Sequence, residues 1–460
     1  MKERKLNKAM IATILALAWP TMLEELLQTA VQYIDTAMVG SLGTAATAAV
    51  GATTTVNWLI GSTISALGVG FLSYIAKSSG AGNRQAVKAA MNQLVLVVCA
   101  VGVAATGLTL GVSPMIPKWM QVDPAIQGLA AKYFFVLYLP MLPRTAIILF
   151  GTALRAAGDT KTPMKVGLLV NCINVILNFA LIYPARYVNM FGVSFYLPGA
   201  GMGVIGAAAA SAIAFTVGGI CMTVIVWRHP MISPKGGSYR PDGTILKPCL
   251  KVAMPNMFQR FGTCLGYVAF AAMINSLGEV ATAAHTVANT VESAFYIPGY
   301  GMQSAAATLA GNACGAKDTK RLKELTKMFI PIEVGLMILS GGALFAFAEP
   351  LVGVFSKSAA VIALGTTVLR MVAVTEPFYG VTIILEGMMQ GVGNTKKPFI
   401  FMISGMWGVR IFGTFICTQI LHYGLVAAWG CMIAHNLLVF MLFLVSYRRN
   451  SWNPMEVKRV

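Results

Sequence analysis

Long apolar segments, separated by shorter polar ones, recur along the whole of this chain. An α-helix needs about 20 apolar residues to cross the hydrocarbon core of a bilayer, and twelve segments of about that length carry few charged residues. They are residues 11–38, 50–76, 91–112, 130–154, 165–184, 202–226, 252–275, 284–312, 328–348, 363–390, 399–420 and 424–446. The pattern predicts an all-α polytopic membrane protein with twelve transmembrane helices.

The second half of the chain repeats the first half at an offset of 235 positions. A proline, a Ser-Leu-Gly run and a turn that begins with Gly and ends with Pro each recur at that offset: Pro20 and Pro255, residues 41–43 and 276–278, and residues 158–163 and 393–398. Each half holds six spans, an even number, so both halves enter the membrane from the same side and form parallel repeats. We therefore expect an N-lobe of residues 1–228 with transmembrane helices 1–6, a cytoplasmic linker of residues 229–248, and a C-lobe of residues 249–460 with transmembrane helices 7–12.

The composition and the placement of charge agree with a membrane location. Hydrophobic residues make up 57% of the chain and charged residues 11%, while the formal net charge is +18. Lys and Arg are concentrated in every other connection, and the connections 40–45 and 421–423 contain none. This alternation follows the positive-inside rule, so it predicts that the N- and C-termini are cytoplasmic. It also explains the positive charge without a nucleic-acid partner.

The sequence contains no motif typical of an enzyme or of a cofactor site. Its eight cysteines form no CxxC pair, its four histidines are scattered, and no GxxxxGK[ST] loop for nucleotide phosphates occurs. We therefore expect that the protein is not an enzyme and that it uses no cofactor.

The first predicted span carries a stripe of polar side chains. Its members share one face of a helix because they are spaced four, four and three residues apart, and Glu25 lies beside that face. The four are Glu24, Gln28, Gln32 and Asp35. An ionisable side chain at the centre of a membrane helix costs roughly 2.5–3.5 kcal/mol on insertion scales. We interpret the stripe as a pathway for a cation or a proton; a buried hydrogen-bonded seam between helices is the alternative.

The fifth predicted span places three amides on one face, at Asn171, Asn174 and Asn178, and the sixth adds the hydroxyl of Ser211. Amide oxygens are neutral, hard ligands that suit Na⁺. Polar contacts between helices are the alternative use of such side chains. Since the second half has Phe270 at the position of Asp35, we expect the coupling ion in the N-lobe.

Two residues of the tenth predicted span are candidates for the path of the substrate or of protons. Glu386 lies in the middle of this apolar span, where its counterpart in the first half is Gly151. Tyr379 is one of several aromatic residues whose ring can face an organic cation.

The segment from Pro20 to Asp35, continued by the sequence 36–43, resembles the first-helix signature of the multidrug and toxic compound extrusion (MATE) family, bacterial type. The resemblance extends through residues 80–83 and 154–159 and the repeated halves, and covers about residues 20–445. It implies two six-helix lobes that form a V, and a monomer that expels cationic, amphipathic compounds in exchange for Na⁺ or H⁺.

The resemblance also implies a cation site. Asp35 matches the aspartate of the family's first helix, Asn174 and Asn178 resemble the polar pair of its fifth helix, and Ser211 lies near a hydroxyl position of its sixth. This pattern is nearer to the DinF-like than to the NorM branch, although the DinF-like branch has an aspartate at the position of Asn178. Na⁺ is possible at Asp35, Asn174 and Asn178, and the choice between H⁺ and Na⁺ stays open.

The sequence thus predicts a secondary active multidrug exporter of the cell membrane that works by alternating access. The alternative is a flippase of lipid-linked cell-envelope precursors from the same wider superfamily. The acidic side chains of the first span favour small organic cations as cargo.

Overall fold

The structure is a computed structural model and describes residues 2–120, 122–190 and 193–456. The first residue of the predicted N-lobe, Met1, and the last four residues of the predicted C-lobe, 457–460, lie outside the described residues. The elements are helices α1 (Lys2–Gly40), α2 (Thr44–Gly80), α3 (Arg84–Val112), α4 (Ile116–Trp119), α5 (Pro124–Tyr138), α6 (Met141–Ala156) and α7 (Lys161–Leu181); strands β1 (Pro184–Met190) and β2 (Val193–Ala200); and helices α8 (Gly203–Arg228), α9 (Gly243–Asn275), α10 (Glu279–Gly315), α11 (Thr319–Phe355), α12 (Ala359–Ala373), α13 (Glu376–Gly391), α14 (Lys396–Ile403), α15 (Phe412–Phe415) and α16 (Leu425–Arg448). The π-helical segments Ser404–Ile411 and Ile416–Ile420 continue α14 and α15.

The sequence repeat is visible in the element boundaries. Helices α12 and α13 begin 235 residues after α5 and α6, and the two pairs are bent by similar angles, 51° between α5 and α6 and 54° between α12 and α13. Pro140 lies at the first bend and Pro377 in the first turn of α13. A proline has no backbone N–H and disfavours helical geometry in the residue before it, so it breaks the helix at both places.

Membrane-spanning length and composition agree with the predicted class for most of the spans. Nine of the described helices are long and apolar enough to cross a membrane, and eleven spans result when each bent pair counts as one. The predicted span 284–312 lies in α10, which is long enough but not apolar enough to be one of these helices. Its 37 residues are interrupted by polar side chains such as Glu292 and Gln303.

The described residues are nearly all helical, which confirms the predicted fold class, and the strands β1 and β2 add a two-stranded antiparallel hairpin that was not predicted. Pro184 pairs with Ala200 and Tyr187 with Tyr196, whose rings lie 5.3 Å apart. Gly199 is required here, because a Cβ at this position would overlap the carbonyl of Tyr183. The hairpin belongs to the first half only, so Gly203 and Leu425, which begin the last helix of each half, are 222 positions apart.

The chain divides into two compact units, and both are discontinuous in sequence. The first compact unit consists of the described residues of 1–25, 69–84 and 247–460, and the second of residues 26–68 and 85–246. The boundaries therefore cut through α1 and α2. The division of the chain into lobes 1–228 and 249–460 stays a prediction from the repeat.

The core of the first compact unit is built where α10 meets α11 and α13. Apolar side chains such as Phe329, Ile384 and Phe443 are fully buried there. The backbones of α10 and α13 approach closely because Gly391 has no side chain; a Cβ at this position would overlap the carbonyl of Ala307. Small residues that allow such close contact are typical of membrane helix packing.

In the second compact unit, the glycines of α8 bring it against α6 and α7. A Cβ at Gly219 would meet the backbone of Pro143 in α6, and a Cβ at Gly206 would meet Leu181 at the end of α7. This close packing of α8 and α7 positions Ser211 beside the asparagines of α7.

The segment of residues 229–242 leads from α8 to α9 and is fixed to α3. The side chain of Gln93 donates to the carbonyl of Arg240 at 2.8 Å and accepts from the backbone N–H of Asp242 at 2.9 Å. The carboxylate of Asp242 accepts hydrogen bonds from the hydroxyl and the N–H of Thr244, which lower the pKa of Asp242 below its usual value. Since α9 begins at Gly243, the predicted linker 229–248 includes the first residues of that helix.

Candidate functional site

Four of the predicted site residues meet inside the second compact unit. Asp35 comes from α1, Asn174 and Asn178 from consecutive turns of α7, and Ser211 from α8. Asn174 and Asn178 are buried, with 5% and 0% of their surface exposed, and Asp35 is half-buried. We call these four residues the Asp35 cluster.

A chain of hydrogen bonds joins the Asp35 cluster. Nδ2 of Asn178 donates to Oδ1 of Asp35 in a short contact and also lies 3.1 Å from Oδ1 of Asn174. Nδ2 of Asn174 in turn lies 2.9 Å from Oγ of Ser211. The only negative charge of the cluster is thus held by a neutral amide and not by a basic side chain.

The amide of Asn174 can be oriented in two ways, each of which suits a different state of Asp35. With its oxygen toward Asp35, two acceptors face each other, and a proton on the carboxyl would join them. With its NH₂ group toward Asp35, it donates to the carboxylate oxygens at 2.9 and 3.3 Å, while its oxygen accepts from Oγ of Ser211 at 2.9 Å. Since an amide oxygen and nitrogen are told apart by their partners alone, the charge of Asp35 and the orientation of Asn174 are coupled.

Asn178 presents a buried acceptor with unused capacity. Within the described residues, no group donates to its Oδ1. A buried polar atom without a partner costs about 1–3 kcal/mol, and a small cation would remove this cost. The carboxylate of Asp35 and the amide oxygens of Asn174 and Asn178 are therefore the atoms that could hold Na⁺. In the described part of the chain, no group of three or more His, Cys, Asp or Glu side chains is arranged to hold a metal.

The other polar residues of α1 lie outside this hydrogen-bonded chain. Gln28 and Gln32 are exposed on the surface of the second compact unit, and Glu24 and Glu25 are half-buried in the first compact unit. Their roles in a pathway for cations or protons stay predictions.

Sequence reasoning missed the residue that holds the end of α1. The hydroxyl of Tyr183, just before the hairpin, lies 2.8 Å from Oγ of Ser41 and donates to the carbonyl of Met38 at 3.3 Å. These contacts fix the last turn of the helix that carries Asp35. No sequence signal pointed to Tyr183, because the hairpin itself was not predicted.

A second polar site lies inside the first compact unit. A small cavity is lined by side chains of α9, α10, α13, α14, α16 and the first π-helical segment. We call it the Arg410 cavity. Its polar lining includes the predicted site residue Tyr379 together with Asn289, Glu292, Tyr296, Arg410 and His435.

Aromatic rings form one side of the Arg410 cavity. The rings of Tyr296 and Tyr379 are perpendicular, with centroids 5.7 Å apart, and the hydroxyl of Tyr379 lies 2.9 Å from that of Tyr300. The ring of Tyr379 thus lines the cavity, and its role in facing a cation stays a prediction.

Glu386 does not line the Arg410 cavity. Its carboxylate is buried and accepts hydrogen bonds from Nε2 of Gln259 at 2.7 Å and of Gln390 at 3.2 Å. Both bonds go to the same oxygen, Oε1, and the guanidinium of Arg260 is close enough to interact with the carboxylate electrostatically. The surroundings of Glu386 thus resemble a structural polar contact between α9 and α13 more than a pathway.

Comparison with known proteins identifies the family. The MatE family profile matches residues 20–180 and 255–416, one match in each half of the repeat. The chain is 27% identical over 444 residues to a probable multidrug resistance protein NorM of Thermotoga maritima, which covers 96% of this chain and 93% of the relative. It is 24% identical over 409 residues to a multidrug resistance protein MdtK of Edwardsiella ictaluri, with coverage of 86% and 85%.

Solved structures show the same fold. An outward-facing multidrug resistance MATE family transporter of the MOP superfamily superposes with a TM-score of 0.83 at 23% identity, covering 95% of both chains. A MATE protein in a bent conformation gives a TM-score of 0.84 at 22% identity, again over 95% of both chains. The chain therefore belongs to the MatE family, whose members are multi-pass membrane transporters and not enzymes.

Proposed function

We propose that the chain is a secondary active multidrug exporter that antiports cationic, amphipathic organic compounds against H⁺ or Na⁺ by alternating access. The observation that carries this proposal is the Asp35 cluster, in which a carboxylate on a membrane helix is held by neutral amides, one of which has a buried oxygen without a donor among the described residues. A charge without a basic partner is available to a proton or to a metal cation.

The proposed coupling follows from competition for one negative charge. A proton or Na⁺ on Asp35 neutralises the cluster, whereas an ionised Asp35 attracts an organic cation. Because the cluster joins α1 to α7 and α8, loading and release of the ion change how strongly these helices are held together. An ion that binds two conformations with different affinity shifts the equilibrium between them.

The two candidate ions use the cluster differently. A proton on Asp35 can be donated to the oxygen of Asn174, whereas Na⁺ would gather the oxygens of Asp35, Asn174 and Asn178. Both arrangements place the oxygen of the Asn174 amide toward Asp35, and release of either ion lets that amide turn its NH₂ group toward Asp35. The Na⁺ arrangement also requires the Asn178 amide to turn, because its Nδ2 faces Asp35. The set of α1, α7 and α8 ligands supports a DinF-like rather than a NorM-like cation site.

The pathway for substrate and protons is also part of the proposal. Glu24, Glu25, Gln28 and Gln32 give α1 a polar face along which cations can move, and Tyr379 offers an aromatic wall in the Arg410 cavity. Glu386 is the weakest member of the pathway, since two amide donors already bind one of its oxygens and Arg260 interacts with its charge. We place the protein in a bacterial plasma membrane, as a monomer with both termini in the cytoplasm.

The test is export of ethidium by the full chain in proteoliposomes, with a Na⁺ gradient and a proton gradient imposed separately. We expect one of the gradients to drive export by the wild type, and Asp35→Asn to remove that dependence. Glu349→Gln is the matched control, because Glu349 is an exposed carboxylate of α11 outside both sites.

Two results would contradict the proposal. If Asp35→Asn exports ethidium at the wild-type rate under the same gradient, the Asp35 cluster does not couple ion movement to export. Absence of any response of the wild type to either gradient would favour the flippase of lipid-linked precursors.

A further inference from the structure

Two cysteine sulfurs are in contact where the predicted spans 399–420 and 424–446 pack together. Sγ of Cys417, in the second π-helical segment, lies 3.8 Å from Sγ of Cys431 in α16. Both thiols are free, and both side chains are partly exposed. The S–S bond of a disulfide is about 2.05 Å long, so the sulfurs would have to approach by about 1.8 Å. A change of rotamer moves a sulfur atom farther than this.

The backbone around the two cysteines keeps them close to each other. Gly413 lies one turn before Cys417, and a Cβ on it would be 3.2 Å from Sγ of Cys431. The connection that follows is short, since the N–H of Tyr423 donates to the carbonyl of Cys417 at 2.7 Å and α16 begins at Leu425. A close approach of two helices and a tight turn thus hold the pair together, in addition to the contact of the sulfurs themselves.

Two hydrogen bonds flank the cysteine pair. Two residues after the first cysteine, Nε2 of Gln419 donates to Oγ of Ser276, just beyond the end of α9, at 2.9 Å. Two residues before the second cysteine, Nε1 of Trp429 donates to Nδ1 of His285 in α10 at 3.3 Å. A covalent bond between the two sulfurs would therefore connect contacts that reach α9 on one side and α10 on the other.

We propose that Cys417 and Cys431 are a modification site, at which a reversible disulfide joins the second π-helical segment to α16. The thiolate of one cysteine attacks the S–S bond of a small-molecule disulfide, forms a mixed disulfide and releases one small thiol. The thiolate of the other cysteine then attacks the protein sulfur of the mixed disulfide and releases the second small thiol. The protein loses two protons and two electrons, and the oxidant takes up both as two thiols.

The position of the pair in the membrane suits this chemistry. With both termini in the cytoplasm, as proposed above, the beginning of α16 lies toward the outer face of the membrane. Disulfides persist in oxidising compartments and are rare in the cytosol, so the bond would form at that face and open under reducing conditions. Formation of the bond can be measured without transport, so its failure and the failure of the exporter proposal are distinguishable.

The test is oxidation of the full chain in detergent with oxidised glutathione, followed by denaturation and alkylation of the remaining thiols with N-ethylmaleimide. The chain has eight cysteines, so the reduced protein should carry eight labels. In the oxidised protein we expect Cys417 and Cys431 to lose their labels together without gaining glutathione. Peptide mapping without reductant should find the two peptides linked, and dithiothreitol should restore both labels.

Variants that lack one cysteine of the pair separate this disulfide from general oxidation. Cys417→Ser and Cys431→Ser should form no internal disulfide under the same treatment. The matched control is Cys172→Ser, which removes an exposed cysteine of α7 in the second compact unit and should form the disulfide as the wild type does. Amide hydrogen exchange in the first turns of α16 should be about 10-fold slower in the oxidised than in the reduced wild type, and unchanged by oxidant in Cys417→Ser.

Two results on the wild type would overturn the proposal without any mutation. One is retention of the labels on both cysteines after oxidation. The other is glutathione that stays attached to either cysteine in place of a linked pair of peptides. A linked pair with unchanged hydrogen exchange in α16 would contradict the claim that the bond joins this helix firmly to the π-helical segment.

Discussion

Replacing Asn178 by aspartate puts a second carboxylate against Asp35. Nδ2 of Asn178 is in hydrogen-bond contact with Oδ1 of Asp35, so Asn178→Asp brings two like charges to within about 4 Å. At an effective dielectric constant of about 20, two such charges repel by about 4 kcal/mol. A bound cation removes this repulsion, and the helices can relax part of it.

We therefore expect Asn178→Asp to bind its coupling ion more tightly by about 2 kcal/mol, or roughly 30-fold. The assay is ethidium export by proteoliposomes as a function of Na⁺ concentration, and separately of proton concentration. The ion concentration for half-maximal export should fall by that factor. The maximal rate should fall as well, because a tightly held ion is released slowly.

The matched control is Asn171→Asp. Asn171 lies on the same face of α7, one turn before Asn174, and takes no part in the hydrogen-bonded chain of the Asp35 cluster. A half-maximal ion concentration that is unchanged or higher in Asn178→Asp would refute the reasoning. An equal fall in both variants would show a general effect of charge on α7 and not a shared site.

Two predictions concern contacts that hold the helices in place, one a close approach of two backbones and the other a hydrogen bond. Gly391→Ala should lower the stability of the protein by about 3 kcal/mol, read as a lower Tm in detergent, because its Cβ would overlap the backbone of α10; Gly335→Ala, where a Cβ meets nothing, should leave the Tm unchanged. Tyr183→Phe should cost about 1 kcal/mol through the lost bond to Ser41 and speed amide hydrogen exchange at the end of α1, whereas the exposed Tyr187→Phe should not. Unchanged exchange in Tyr183→Phe would show that this contact does not hold α1.

The repeat and the hydrophobic pattern were enough to predict most of the fold. The helices lie near the predicted positions, because runs of apolar residues are a feature of the local sequence. The bends within spans 130–154 and 363–390 were not predicted. The hairpin Pro184–Ala200 was not predicted, since it is short and directly follows the apolar end of α7. Span 284–312 was predicted as membrane-spanning; its polar residues lower its hydropathy, and two of them, Asn289 and Glu292, line the Arg410 cavity.

The two sites differ in how far the sequence leads to them. Helical spacing places Asn174 and Asn178 on one face of α7 and Asp35 in the polar stripe of α1, and the family resemblance groups them with Ser211 in one cation site. Only the tertiary structure shows the unused oxygen of Asn178. The Arg410 cavity could not be predicted in the same way. Its key residue lies in a π-helical segment, whose wider turn changes the side to which each residue points.

The sequence pointed to the Arg410 cavity in one way only, by placing charged residues in membrane spans, where a charge is costly. Arg410 and Glu292 both fall in predicted spans, so each required an explanation. Spacing alone could not pair them, because more than a hundred residues separate them and the pairing depends on how α10 packs against the π-helical segment.

The most direct test of the central claim is ion movement driven by substrate alone. Proteoliposomes holding the full chain are loaded with ethidium, no ion gradient is imposed, and Na⁺ or proton flux is recorded with an ion-sensitive dye. The account predicts a flux of one of these ions opposite to ethidium in the wild type and in Glu349→Gln, and none in Asp35→Asn. An undiminished counterflux in Asp35→Asn would contradict it.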